Sequence, residues 1–219
     1  MQVLAGSAFP PLRGFQSRCG GVKLAAMGTF NPLPLRTALL TFALLMVVAA
    51  CSERPAFAPL AEGAVVLAFG DSITYGTGAD GALNYPAYLS RETGWQVINA
   101  GVPGDTAKGA RDRIGPLLTE HRPDMVIVEL GGNDFLRQRP AGQVKEDLRA
   151  ILRDIAAADA LAVLLAVPRL SLLRATTGTL ADAELYRALA DEEGILLLED
   201  VLSDVLSEDS LRADPIHPN

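Results

Sequence analysis

Five short, almost wholly apolar runs, separated by stretches of helical spacing, leave few folds open to this chain. AVVLAF (Ala64 to Phe69) is the first and is ended by Gly70. WQVIN (Trp95 to Asn99), DMVIVEL (Asp124 to Leu130), LAVLLAV (Leu161 to Val167) and ILLLE (Ile195 to Glu199) follow. Runs this short and this apolar are buried on both faces, as the strands of a parallel sheet are. Between them, NYPAYLSRETG reads as a helix ending near Gly94, and Thr106 to His121 as a helix capped by Asp105 or Thr106. Gln143 to Ala160 is a helix with Val144, Leu148, Ile151, Leu152 and Ile155 on one face, and Leu180 to Glu193 is another. Such alternation predicts an α/β domain, a five-stranded parallel sheet with helices on both faces. Ligands of these sheets bind at the carboxyl ends of the strands, so the loops after Phe69, Asn99, Leu130 and Val167 share the functional edge.

The domain reading starts at Ala64, because what precedes it has another character. Residues 1–50 carry four basic side chains, Arg13, Arg18, Lys23 and Arg36, and no Asp or Glu. The apolar run from Thr37 to Ala50 behind Arg36 has the length of a signal peptide and is too short to span a bilayer comfortably. Met27 reads as the true start of this leader, since Pro, Gly and Arg in residues 1–26 fit no signal peptide. The run ends in Val48-Ala49-Ala50-Cys51, which resembles a bacterial lipobox; the resemblance implies cleavage before Cys51, lipid on that cysteine and a membrane anchor facing the periplasm. A plain signal peptide cleaved nearby is the alternative. Ser52 to Gly63, rich in Pro and Ala, is a tether, so residues 51–63 form the anchor and 64–219 the domain.

Beyond residue 50 the chain holds 15 Lys and Arg against 26 Asp and Glu. That acidic balance excludes a nucleic-acid partner, which needs a basic surface. The only other cysteine, Cys19, lies in the leader, and the histidines number two. No disulfide and no cysteine-based metal site is therefore expected in the domain, and two histidines leave little for zinc.

Four blocks fall on the functional edge in order: GDSITYG (Gly70 to Gly76), NAGVPGDT (Asn99 to Thr106), GGND (Gly131 to Asp134) and DPIH (Asp214 to His217). Each alone is an ordinary turn or helix cap. Together they supply the parts of nucleophilic catalysis. Ser72 stands at a strand end; a serine needs a base, and the base an orienting group. His217 follows Asp214 by three residues, so one turn brings carboxylate to imidazole. His121, in TEHRPD, sits on the opposite edge, which leaves His217 as the base. Gly104 offers a backbone N–H in an open turn, and Asn133 a side-chain amide that cannot ionise, both suited to a developing oxyanion.

The phrases AFGDSITYG, VINAGVPGDT, IVELGGNDFLR and DPIHPN resemble the SGNH hydrolase superfamily, the GDSL esterases and lipases, from Ala64 to Asn219. Closest in look are bacterial periplasmic arylesterases, acyl-CoA thioesterases and lysophospholipases. The resemblance implies a flavodoxin-like three-layer α/β/α fold and cofactor-free hydrolysis of small-molecule or lipid esters and thioesters. It implies Ser72 as nucleophile, with its own N–H, Gly104 and Asn133 forming the oxyanion hole. It implies His217 as general base and then acid, with Asp214 orienting it. Asp71 braces the turn. The family pattern runs on past the histidine into a final helix; the resemblance thus implies a shortened domain here, with that helix missing. Two alternatives stay open: a carbohydrate O-deacetylase of the same superfamily, and a non-catalytic envelope lipoprotein on the same fold. Leu170, Leu172, Leu173, Phe135 and Leu136 either line an acyl groove or simply pack.

Overall fold

The computed structural model describes residues 59–79, 83–169 and 180–219. The leader, Cys51, most of the tether, and Leu170, Leu172 and Leu173 lie outside these residues. Strands β1 (Val65–Gly70), β2 (Gln96–Gly101), β3 (Met125–Glu129), β4 (Leu161–Leu165) and β5 (Leu196–Leu198) form one sheet in the order β2-β1-β3-β4-β5. Every neighbouring pair is parallel. The apolar runs account for this: Val66 to Phe69 and Met125 to Val128 are buried on both sides, so only a sheet covered by helices accommodates them.

Three short helices and four longer ones connect the strands: α1 (Ser72–Tyr75), α2 (Tyr85–Thr93), α3 (Ala107–His121), α4 (Gly132–Leu136), α5 (Ala141–Ala157), α6 (Leu185–Glu193) and α7 (Val201–Ser207). Asn84 caps α2 by accepting from Ala87 N at 2.9 Å, and Gly94 ends it at φ +72°. Thr106 caps α3, its hydroxyl accepting from Gly109 N at 3.1 Å. The predicted apolar face of α5 is fully buried, and α5 packs between α3 and α6 on one side of the sheet. On the other side, Met125, Ile127, Val163, Leu165, Leu196 and Leu198 line an apolar cavity of about 610 Å³ flanked by α2 and α7. A two-stranded antiparallel hairpin, β6 (Arg212–Asp214) and β7 (His217–Pro218), follows.

Sequence periodicity misplaces one boundary by five residues. The helix expected from Leu180 starts at Leu185, because the preceding segment pairs with the chain leaving β4: Asp182 bridges Pro168, and Ala183 N donates to Val167 O at 3.2 Å. Edge pairing outweighs helix propensity there. Phe135 and Leu136 pack inward. Phe135 is buried with its ring edge against Tyr186, and Leu136 packs on the core.

Chain order reverses between β1 and β3, and the crevice at their carboxyl ends is the switch point at which such sheets bind ligands. Gly131 makes the turn out of β3 there. Its φ is +126°, and a Cβ on it would strike the Tyr186 hydroxyl, which donates to Leu130 O at 2.8 Å. Gly131→Ala is expected to destabilise the fold by about 1–3 kcal/mol, from forced overpacking and left-handed strain together. Thermal unfolding checks this, and an unchanged Tm would contradict it.

Candidate active site

One continuous hydrogen-bond chain crosses the switch point. His217 Nε2 lies 2.9 Å from Ser72 Oγ, and His217 Nδ1 lies 2.7 Å from Asp214 Oδ2. The three-residue spacing of DPIH works because Asp214 Oδ1 also accepts from Ile216 N at 2.8 Å and from His217 N at 2.9 Å. One carboxylate thus shapes the loop with one oxygen and holds the imidazole with the other. Partial burial pushes the Asp214 carboxyl up, but the His217 hydrogen bond and the two backbone N–H groups outweigh it and leave it below its ordinary value. A carboxylate that stays ionised favours the charged imidazolium over the course of a proton transfer. The hairpin carrying His217 is pinned by Asn219 N to Leu211 O at 3.1 Å and Asn219 Nδ2 to Ser210 O at 2.9 Å.

Ser72 is the first residue of α1, a single turn too short to hold itself. Asp71 caps it: Oδ1 accepts from Ile73 N at 3.0 Å. The other oxygen, Oδ2, accepts from Asn133 Nδ2 at 2.9 Å. Asp71 is therefore the brace expected from the sequence, and also the link between the Ser72 turn and Asn133. Burial is the main reason its carboxyl is raised, against the hydrogen bonds from Ile73, Glu129 and Asn133. An amide nitrogen has two hydrogens, so Asn133 keeps a second N–H to offer a substrate oxygen.

Gly104 stands in the turn after β2 at φ +79°, exposed, with open space where a Cβ would be. Conformation, not crowding, calls for glycine there. Its carbonyl accepts from Arg137 Nη2 at 3.0 Å. The structure thus brings Ser72, Asn133, Asp214 and His217 together by direct or one-residue contacts, with Gly104 on the neighbouring loop. His121 ends α3 on the opposite edge, beside Glu120 at 3.9 Å.

Sequence reasoning passed over two side chains that frame the site. Arg113 of α3 donates to Gly70 O and to Ala100 O, both at 2.7 Å, and to Asp105 Oδ2 at 2.6 Å, with its guanidinium stacked 4.1 Å over the Phe69 ring. It thereby locks the ends of β1 and β2 to the Gly104 turn. Arg139 pairs with the buried Asp134, whose Oδ2 accepts from Ala107 N at 2.9 Å, and with Asp147 at 2.7 Å. This ties the GGND turn to the start of α3. Arg113 sits on a helix face and Arg139 in the connection between α4 and α5, and both look like ordinary polar surface in one dimension, so no local pattern marks them. Among the described residues, no group of three or more His, Cys, Asp or Glu side chains could hold a metal ion.

Residues 68–219 match the sequence profile of the GDSL-like lipase/acylhydrolase family. The chain is 36% identical over 159 residues to the thioesterase 1/protease 1/lysophospholipase L1 of Escherichia coli, a match covering 70% of this chain and 75% of that protein. It is 29% identical over 179 residues to esterase TesA of Pseudomonas aeruginosa, covering 79% and 89% respectively. A crystal structure of TesA superposes with a TM-score of 0.63 at 29% identity, over 71% of this chain and 89% of that one.

Proposed function

Because the chain belongs to the GDSL-like lipase/acylhydrolase family, the SGNH hydrolases, and is thereby a serine esterase, we propose that Ser72 is its nucleophile, His217 its general base and Asp214 the group that orients the base. The observation that carries this is the unbroken Ser72–His217–Asp214 hydrogen-bond chain. Ser72 Oγ attacks the acyl carbon while its proton passes to His217 Nε2. The ester C–O or thioester C–S bond then breaks, and the leaving group takes that proton. Water, deprotonated by the same imidazole, releases the acid from the acyl-enzyme. The Ser72 and Gly104 N–H groups and Asn133 Nδ2 form the oxyanion hole. Acyl esters and thioesters are the substrate class; the names of the relatives, a thioesterase/lysophospholipase and an esterase, support it.

Reaction with a fluorophosphonate, followed by peptide mass mapping, tests the assignment. The label is expected on Ser72 with parallel loss of p-nitrophenyl butyrate hydrolysis; a label on another serine would overturn it.

The enzyme works in the cell envelope, exported by the leader and held to the membrane by lipid on Cys51. The support is the Val48-Ala49-Ala50-Cys51 sequence behind its apolar run. Mass spectrometry of the membrane fraction is expected to find acylated Cys51 as the first residue, and Cys51→Ser to free the protein. A mature soluble form beginning well past Cys51 would contradict this.

A further inference from the structure

Glu129 closes β3 between Val128 and Leu130, opposite Gly70 of β1, and is 0% exposed. A carboxyl so placed carries a large desolvation cost, and an apolar residue would suit this strand better. Its contacts explain its presence. Oε2 accepts from Thr74 Oγ1 at 2.8 Å, from Thr74 N at 3.2 Å and from Asp71 N at 3.4 Å. These donors lie on both sides of Ser72, and α1 is a single turn. Nothing bulkier than glycine fits between this turn and the strand, since a Cβ on Gly70 would strike Thr74 Oγ1 and crowd Glu129 O. The chain leaving β3 turns at Gly131 and enters α4, whose second residue is Asn133.

We propose that Glu129 is a positioning residue for ester hydrolysis: from the end of β3 it grips the Asp71–Thr74 turn and so sets Ser72 Oγ in register with His217 and with Asn133, which follows four residues on in α4. The inference rests on Ser72 being the nucleophile. Two further observations favour it over a purely structural role. Glu129 Oε1 is buried and has no hydrogen-bond partner among the described residues, so the carboxyl is not there to complete a core network. Burial, then the neighbouring Asp71 charge, raises its pKa well above the ordinary range, which favours the neutral carboxyl. Tyr85, bonded to Thr74 Oγ1 at 3.0 Å, and Tyr186 are the other titratable groups in its field. A neutral carboxyl accepts the three bonds through Oε2 without adding a second negative charge beside Asp71.

The test compares Glu129→Leu, Glu129→Gln and Thr74→Val in the full chain by kcat, KM, Tm and the rate of Ser72 labelling by a fluorophosphonate. Misplaced reacting groups cost rate rather than binding, so Glu129→Leu is expected to lower kcat on the order of 10–10²-fold with KM nearly unchanged. Labelling should slow in parallel; Tm is recorded so that the loss is read per folded molecule, since leucine leaves the Asp71 and Thr74 N–H groups without their acceptor. Glu129→Gln, whose amide oxygen can take the place of Oε2, should recover most of kcat. Thr74→Val removes one of the three donors with little change of shape and should lower kcat by a smaller factor. A Glu129→Leu enzyme with wild-type kcat, or one whose loss only tracks the unfolded fraction, would overturn the proposal. If Glu129→Leu does not fold, unchanged kcat in Thr74→Val overturns it instead. A wild-type chain that neither turns over esters nor labels at Ser72 would instead overturn the hydrolase mechanism, a result distinct from all of these.

Discussion

Ser72→Ala is expected to reduce kcat on p-nitrophenyl esters on the order of 10⁴–10⁶-fold, to the residual rate that binding and the oxyanion donors alone sustain. In the proposed mechanism Ser72 Oγ supplies the atom that forms the acyl bond, and it is the hydroxyl that lies 2.9 Å from His217 Nε2. His217→Ala should be nearly as damaging, because His121 stands at the other edge of the sheet and cannot substitute. Asp214→Ala should cost less than either: the carboxylate orients and stabilises the imidazole but exchanges no atom with substrate. It will not be silent, since Asp214 Oδ1 also shapes the loop through Ile216 N and His217 N. His121→Ala should leave kcat unchanged. Steady-state kinetics of the four variants at one pH provides the ranking. A His121→Ala enzyme as dead as His217→Ala would sink the assignment of the active edge.

Asn133→Ala is expected to cost on the order of 10²–10³-fold in kcat with little change in KM, the usual effect of deleting one oxyanion donor. The amide is held in place before substrate arrives, because one of its hydrogens is committed to Asp71 Oδ2 at 2.9 Å. The donation that matters therefore needs no reorganisation as charge develops on the substrate oxygen. The variant also leaves the buried Asp71 carboxyl one partner short, so Tm should be recorded alongside the kinetics. Full activity in a folded Asn133→Ala enzyme would remove Asn133 from the oxyanion hole.

Most of the sheet was legible because its strands are the apolar runs themselves. The five runs predicted from composition and length are the five strands observed, to within a few residues at their ends. The apolar face of α5 and the caps Thr106 and Gly94 were legible for the same reason: each is a local pattern with a local cause. Four elements, the short helices α1 and α4, α7 and the β6–β7 hairpin, carry no strong period and were not anticipated. Their stability comes from where they pack, with Leu202 and Leu206 of α7 in the core.

The chemistry available to this protein is already written in its residue types and their short spacings. The chain supplies one serine at a strand end, one histidine three residues after an aspartate, an amide and a glycine turn, and too few other histidines and cysteines for a rival scheme. Residue type and short spacing are enough for that, because a triad turn such as Asp214 to His217 is built from neighbours. The fold in three dimensions is what brings His217 within 2.9 Å of Ser72, 145 positions away in the chain. It alone decided that Arg113 joins three carbonyl- or carboxylate-bearing segments, and that the carboxyl of Glu129 lies beneath the nucleophile turn. These residues act across the sheet, through partners 8 to 58 positions away, and side chains chosen for such contacts look in one dimension like any charged residue.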